Sequence, residues 1–360
     1  MNRYRKSLIC SILMMCLFLV GCATEEIKDA SKAENTTKGR EVVDCSKNVV
    51  RLPKAKDIKR IVITSPPVVT MTNALLDDPS KIVGIHPLTL LNANTDLLKL
   101  KMPKVKELDD TYVKGFNIDI EKLLNLKPDI VFCYGEQQKK DLKNLNIPVV
   151  DFYKEGEKDS AVIIKEWEEI ICKVFDISPK ISIKKEIEKV EAFKGSMNKS
   201  QKQKKALLIF NNSGDKITVC GNHTYGEYWI EFAGMENVAK EIKGEKEVSM
   251  EQIYEWQPDV IYLFMGPGEK MYKKGIKKQD WTRVNAVKNG QIYDIPVGLF
   301  NWASPCVDTP LMMKWMLNGN KRDTDFVEEI KEYYKRCYDL ELTDELAEKI
   351  LKPQKGVILK

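Results

Sequence analysis

The chain is poor in the residues that build a bare metal site or a redox centre. It holds two histidines, His86 and His223, against the several that a free zinc or manganese ion would draw on. Its nine cysteines include no C-x-x-C pair, which removes metal-cluster and thioredoxin-like chemistry. G-x-S-x-G, H-E-x-x-H and P-loop patterns are missing, and no Ser/His/Asp order stands in a distinctive context. The formal charge of +5 is small, and lysine is spread along the chain rather than gathered in a stripe, so a nucleic-acid partner is not expected. Only one apolar run stands out, Leu8 to Val20, and it is too short for a comfortable membrane span.

That run follows Arg3, Arg5 and Lys6 and ends in Leu19-Val20-Gly21-Cys22. A basic region, a short apolar core and this ending resemble the signal peptide and lipobox of bacterial lipoproteins. The resemblance implies cleavage before Cys22, lipid on its thiol and anchoring to the extracytoplasmic face of the cell membrane. Residues 1–21 are the expected signal peptide. Residues 22–40, rich in Glu, Lys, Thr and Ser with no apolar period, are the expected tether. Cys45, Cys133, Cys172, Cys220, Cys306 and Cys337 remain in the mature chain. An external location permits disulfides, but the spacing does not pair them.

The middle of the chain carries two helical runs. Ala161, Ile164, Trp167, Ile170, Ile171 and Val174 recur at helical spacing, as do Ile183, Ile187, Val190 and Met197. Ser178 and Pro179 read as the N-cap and first residue of the second helix, expected to reach about Asn198 and to span on the order of 30 Å. The segments on either side resemble each other. Ile118 to Val131 and Val248 to Ile261 align without a gap. Each reads as an N-cap (Asp119, Ser249), a Glu at the second helical position (Glu121, Glu251), a short helix, a Pro-Asp break and a buried strand. The expected fold is α/β: two Rossmann-like lobes joined by one long rigid helix, with a cleft between them. The divisions are an N-terminal lobe at 41–157, linking helices at 158–200, a C-terminal lobe at 201–320 and a helical tail at 321–360.

Within each lobe strands alternate with short helices, so the sheets should be mostly parallel, with ligand beyond the carboxyl ends of their strands. That rule puts Ser65, Pro66, His86, Tyr134 and Glu136 near a cleft. In the second lobe the loops Gly221 to Gly226 and Gly298 to Pro305 bring His223, Tyr225, Asn301 and Trp302 towards it. The candidate ligand-binding residues are Ser65, Tyr134, His223, Tyr225, Asn301 and Trp302: aromatic walls with a few polar anchors. Each aromatic taken singly is at least as compatible with ordinary packing.

The order of these phrases along the chain resembles solute-binding lipoproteins of the helical-backbone class, which serve ABC importers of ferric siderophores, haem and cobalamin. The phrases are Arg60-Ile61-Val62-Ile63 leading into Ser65-Pro66, Leu126 to Val131, Ala233 to Ala239, and Asn301-Trp302 to Pro310-Leu311. Tyr333-Tyr334 followed by Leu342-Thr343-Asp344-Glu345 is similar to the iron-complex branch. The resemblance implies a monomer without a cofactor or a resident metal. It further implies a metal chelate or macrocycle held between the lobes, and a permease dimer that receives Glu121 and Glu251 in basic pockets. The same two glutamates also suit the positive ends of their own helices. His223, with Met71 opposite, is the pair that an axially held haem would need. Arginine is scarce in the cleft loops, so no anion clamp is evident. A surface-anchored metal-cofactor enzyme, chelatase-like, is the alternative on the same fold; an adhesin is a third.

Overall fold

The computed structural model describes residues 39–76, 78–196, 204–212, 216–265 and 279–352. The signal segment, Cys22 and nearly all of the tether lie outside them. An antiparallel hairpin, β1 (Arg40–Val43) and β2 (Val49–Leu52), opens the described chain. Next come β3 (Ile61–Ile63), β4 (Ile82–Ile85), a small hairpin of β5 (Val113–Lys114) and β6 (Asn117–Ile118), then β7 (Ile130–Cys133) and β8 (Val149–Asp151). The first sheet has the order β4-β3-β7-β8 and is parallel throughout. Every residue of β3 and β7 is buried, as continuous apolar runs in a parallel sheet should be. Alternate residues serve opposite faces: Ile61 and Ile63 join the main core, and Val62 joins the cluster on the other side.

The second sheet contains β9 (Lys205–Asn212), β10 (Ile217–Cys220), β11 (Glu236–Asn237), β12 (Glu245–Val248), β13 (Val260–Met265) and β14 (Ile292–Asp294). Its order is β12-β10-β9-β13-β14, with β11 against β9. β9, β13 and β14 run parallel and match β3, β7 and β8 of the first lobe. The internal repeat is reproduced to the level of single hydrogen bonds. Asp119 and Ser249 cap the helices Ile120–Asn125 and Met250–Trp256 by accepting from the Lys122 and Gln252 amides. Lys127 and Gln257 then take left-handed φ values of 47° and 43°, ending the helix one residue before proline. Asp129 Oδ2 accepts from the Lys59 and Arg60 amides at 2.7 and 2.8 Å, and Asp259 Oδ2 from the Lys205 amide at 3.0 Å. Each aspartate thereby registers its own strand beside the strand that precedes it in the sheet.

The link is two helices, and the second starts later than the Ser178-Pro179 signal predicts. A 16-residue helix, Ser160–Phe175, is capped by Asp159 and stopped by left-handed Asp176. A 14-residue helix, Ile183–Ser196, follows and packs on the first. It starts four residues after Pro179 because the buried Glu168 carboxylate holds the turn at Ser182. Ser182 Oγ donates to Glu168 Oε1 at 2.5 Å, and the Lys184 amide donates to Oε2 at 3.0 Å. Ser182 Oγ in turn accepts from the Lys185 amide, which makes it the cap. Met197 lies outside the described residues. Two further elements differ. The loop after β4 contains the helix Leu88–Leu91, and the tail divides into Thr324–Tyr338 and Asp344–Leu351 at left-handed Asp339.

Candidate functional site between the lobes

A cavity of about 220 Å³ lies at the carboxyl ends of β3, β4 and β7. Thr64 to Pro67, His86, Leu88, Tyr134 and Gln138 line it from the first lobe, with Gly115 and Phe116 from the β5–β6 turn. Tyr225, Phe300, Ser304 and Pro305 close it from the second. No lysine or arginine is among these described residues.

Tyr134 leaves the end of β7 and is fixed twice: its amide donates to Gln138 Oε1 at 2.8 Å, and its ring meets Tyr153 edge-on at 5.1 Å. Tyr225 is the first residue of the helix Tyr225–Phe232, which Thr224 caps. The next residue, Gly226, lies so close to β10 that a Cβ there would stand 2.5 Å from the Cys220 Cβ. That close approach seats the helix start and its tyrosine. The two phenol oxygens are 2.9 Å apart, one from each lobe. Burial raises the pKa of both, so each is a neutral hydroxyl.

Ser65 is fully buried, and its hydroxyl has no partner. The residues that follow it, Pro66 and Pro67, occupy the first helical positions and have no N–H to offer. His86 also lines the cavity, but both ring nitrogens are engaged. Nδ1 accepts from the Leu88 amide at 3.0 Å, and Nε2 donates to the Gly115 carbonyl at 2.9 Å. Burial lowers its pKa, so it is neutral and serves to hold the β5–β6 turn over the cavity.

The remaining candidates stand elsewhere. His223 is exposed, in a left-handed turn with φ 58°, and its amide donates to Glu227; it does not line the cavity. Met71 is buried in the main core, so the two do not form an axial pair at the cavity. Asn301 and Trp302 are fully buried behind the wall. The Asn301 side chain bridges the Phe264 carbonyl and the Ala303 amide. Trp302 Nε1 donates to Asp308 Oδ2 at 3.0 Å, a partner that a buried indole needs. Their neighbours Phe300, Ser304 and Pro305 face the cavity instead. Glu136 is outside the lining as well.

Asp308 organises that wall. Fully buried, it accepts hydrogen bonds from Trp302, the Leu299 amide, Tyr334 at 2.8 Å and Tyr338 at 2.8 Å. Burial pushes its pKa up to about 6, against these four donors. The tail tyrosines are therefore core residues that moor the loop forming one side of the cavity. Phe116 and Phe300 had not been expected at the cavity. The turn Lys114-Gly115-Phe116-Asn117 was the one available signal for Phe116.

Glu121 and Glu251 are both exposed, and neither makes an ion pair among the described residues. Its own amide and the Ser249 hydroxyl hold the Glu251 carboxyl below its usual range. All six cysteines of the described chain are free, and no group of three His, Cys, Asp or Glu is placed to hold a metal among the described residues.

Two α/β lobes with a small aromatic cavity between them form an arrangement that can enclose a small ligand. Residues 182–297 match the periplasmic binding protein family. YvrC of Bacillus subtilis, an ABC transporter substrate-binding lipoprotein, is 24% identical over 316 residues, spanning 84% of this chain and 93% of its own. The molybdate-binding protein MolA of Haemophilus influenzae is 26% identical over 292 residues, 73% of this chain and 81% of its own. The crystal structure of a periplasmic solute-binding protein from Veillonella parvula superposes with a TM-score of 0.72 at 28% identity, covering 87% of this chain and 96% of that one. The Fe(3+)-citrate-binding protein YfmC and an iron-uptake system-binding protein, both of Bacillus subtilis, are also among the relatives. These relatives and neighbours are named as binding proteins, and YvrC as one that serves an ABC transporter. Among the described residues no helix is long and apolar enough to cross a membrane.

Proposed function

We propose that the protein captures a compact iron chelate between its lobes and delivers it to an ABC-importer permease, anchored by lipid on Cys22. The observation that carries this reading is the wall of the cavity. Aromatic rings from both lobes surround it, a few hydroxyls point the way for a polar ligand, and no cationic side chain among the described residues neutralises a free anion. The volume of about 220 Å³ suits a small chelate better than a whole haem or corrinoid, which needs a larger pocket. Glu121 and Glu251 are the proposed docking points on the permease, one per lobe, where charge complementarity sets register and on-rate. The protein works as a monomer.

A second reading has its own support: the relationship to MolA, together with the unpartnered Ser65 hydroxyl, fits a small oxyanion. Calorimetric titration of the chain from Ala23 onward separates them, using ferric citrate, a ferric hydroxamate, haemin, cobinamide and molybdate. Saturable sub-micromolar binding of a ferric chelate is expected. Binding of molybdate alone would replace the iron reading with the oxyanion one.

A further inference from the structure

The strongest unassigned feature is the meeting of Tyr134 and Tyr225. Two phenol oxygens from opposite lobes face one cavity at 2.9 Å, with the rings held by neighbouring structure. A small hard cation in octahedral geometry holds oxygen ligands at about 2.0–2.1 Å, which sets neighbouring ligand oxygens about 2.9 Å apart. Phenolate is an established ligand of ferric iron in proteins. The hydroxyl pair therefore has the spacing of one edge of a ferric coordination octahedron.

We propose that Tyr134 Oη and Tyr225 Oη bind as adjacent ligands to the Fe(III) of the captured chelate, completing a coordination sphere that the chelator leaves open at two neighbouring positions. This rests on the reading of the ligand as an iron chelate. The substrate class is a ferric complex with four chelator donors and two water ligands. On binding, two Fe–OH₂ bonds break and two Fe–O(phenolate) bonds form. Both waters leave, each phenol gives its proton to solvent, and the iron stays ferric. The net charge of the complex falls by two. With no cation among the described lining residues, the cavity accordingly selects chelates that arrive neutral or positively charged. Ser65, buried and unpartnered at the cavity wall, supplies a hydroxyl for an oxygen of the chelator. The arrangement also ties binding to closure, because one ligand comes from each lobe.

The test is to add ferric nitrilotriacetate, and separately the ferric bis-acetohydroxamate complex, to the chain from Ala23 onward. Tyrosinate-enhanced resonance Raman bands are expected, with two protons released per iron. Tyr134→Phe and Tyr225→Phe should each weaken binding at least tenfold and halve the proton release, while Tyr153→Phe keeps the bands. The wild-type spectrum is decisive even if a variant fails to fold. Tight ferric binding without tyrosinate bands would overturn the ligation and leave the iron-chelate function standing. No binding of any ferric chelate would overturn both.

Discussion

Tyr134 and Tyr225 stand 91 residues apart in the chain and touch through their hydroxyls at 2.9 Å, one from each lobe. Each is the other's hydroxyl partner inside a mostly apolar cavity. Removing one hydroxyl leaves its partner without that bond.

A double-mutant cycle with Tyr134→Phe and Tyr225→Phe should return a coupling of about 1 kcal/mol, the usual net worth of a neutral hydrogen bond. Urea unfolding of the ligand-free chain measures it. Additive single effects would show that the pair is not formed in solution.

Asp308 predicts a pH dependence. Its folded-state pKa of about 6 lies above the ordinary 3.8, so the native state holds the proton more tightly than the unfolded chain. The associated stability is present below about pH 4 and is lost as pH rises through about 6. Asp308→Asn should flatten that window. Tyr334→Phe removes a hydroxyl that lowers the pKa and should move the window upward. Denaturation midpoints between pH 4 and pH 7 follow both effects.

Gly298→Ala should be among the costliest small substitutions. An added Cβ would collide with Tyr334 Oη and Asp308 Oδ2 and stand 2.9 Å from Trp302 Nε1. Overpacking of this kind costs roughly 1–3 kcal/mol. Because the same loop carries Phe300, ligand affinity should fall along with the melting temperature, whereas a surface control such as Lys288→Ala should change neither.

Glu121→Ala combined with Glu251→Ala should leave ligand affinity intact and abolish uptake in cells. Both side chains are exposed and remote from the lining of the cavity, so loss of ligand binding would contradict the docking role as clearly as unchanged uptake would.

Much of the fold was readable because its signals are local. The strands that end the two repeat units, β7 at Ile130–Cys133 and β13 at Val260–Met265, follow the Pro-Asp breaks as expected, since an apolar run after such a break has few alternatives. The repeated helix-Pro-Asp-strand unit was readable because its caps and breaks are chemical requirements of the backbone. The start of the second linking helix was not readable. Ser178-Pro179 is a good local signal, yet Glu168, fourteen residues before Ser182, captured the cap.

The sequence by itself determined the two sheets, the duplicated units and the fact that Ser65, Tyr134 and Tyr225 end up at strand ends or helix starts. These follow from apolar period, capping and the rule that ligands meet parallel strands at their carboxyl ends. Only the tertiary structure decided which side chains of the loop from Gly298 to Pro305 face the cavity. An irregular loop has no period, so the choice fell to the buried Asp308, whose demand for donors drew Trp302 inward and left Phe300 on the wall. It likewise decided that His86 spends both nitrogens on the backbone, and that two tyrosines from different lobes meet at 2.9 Å.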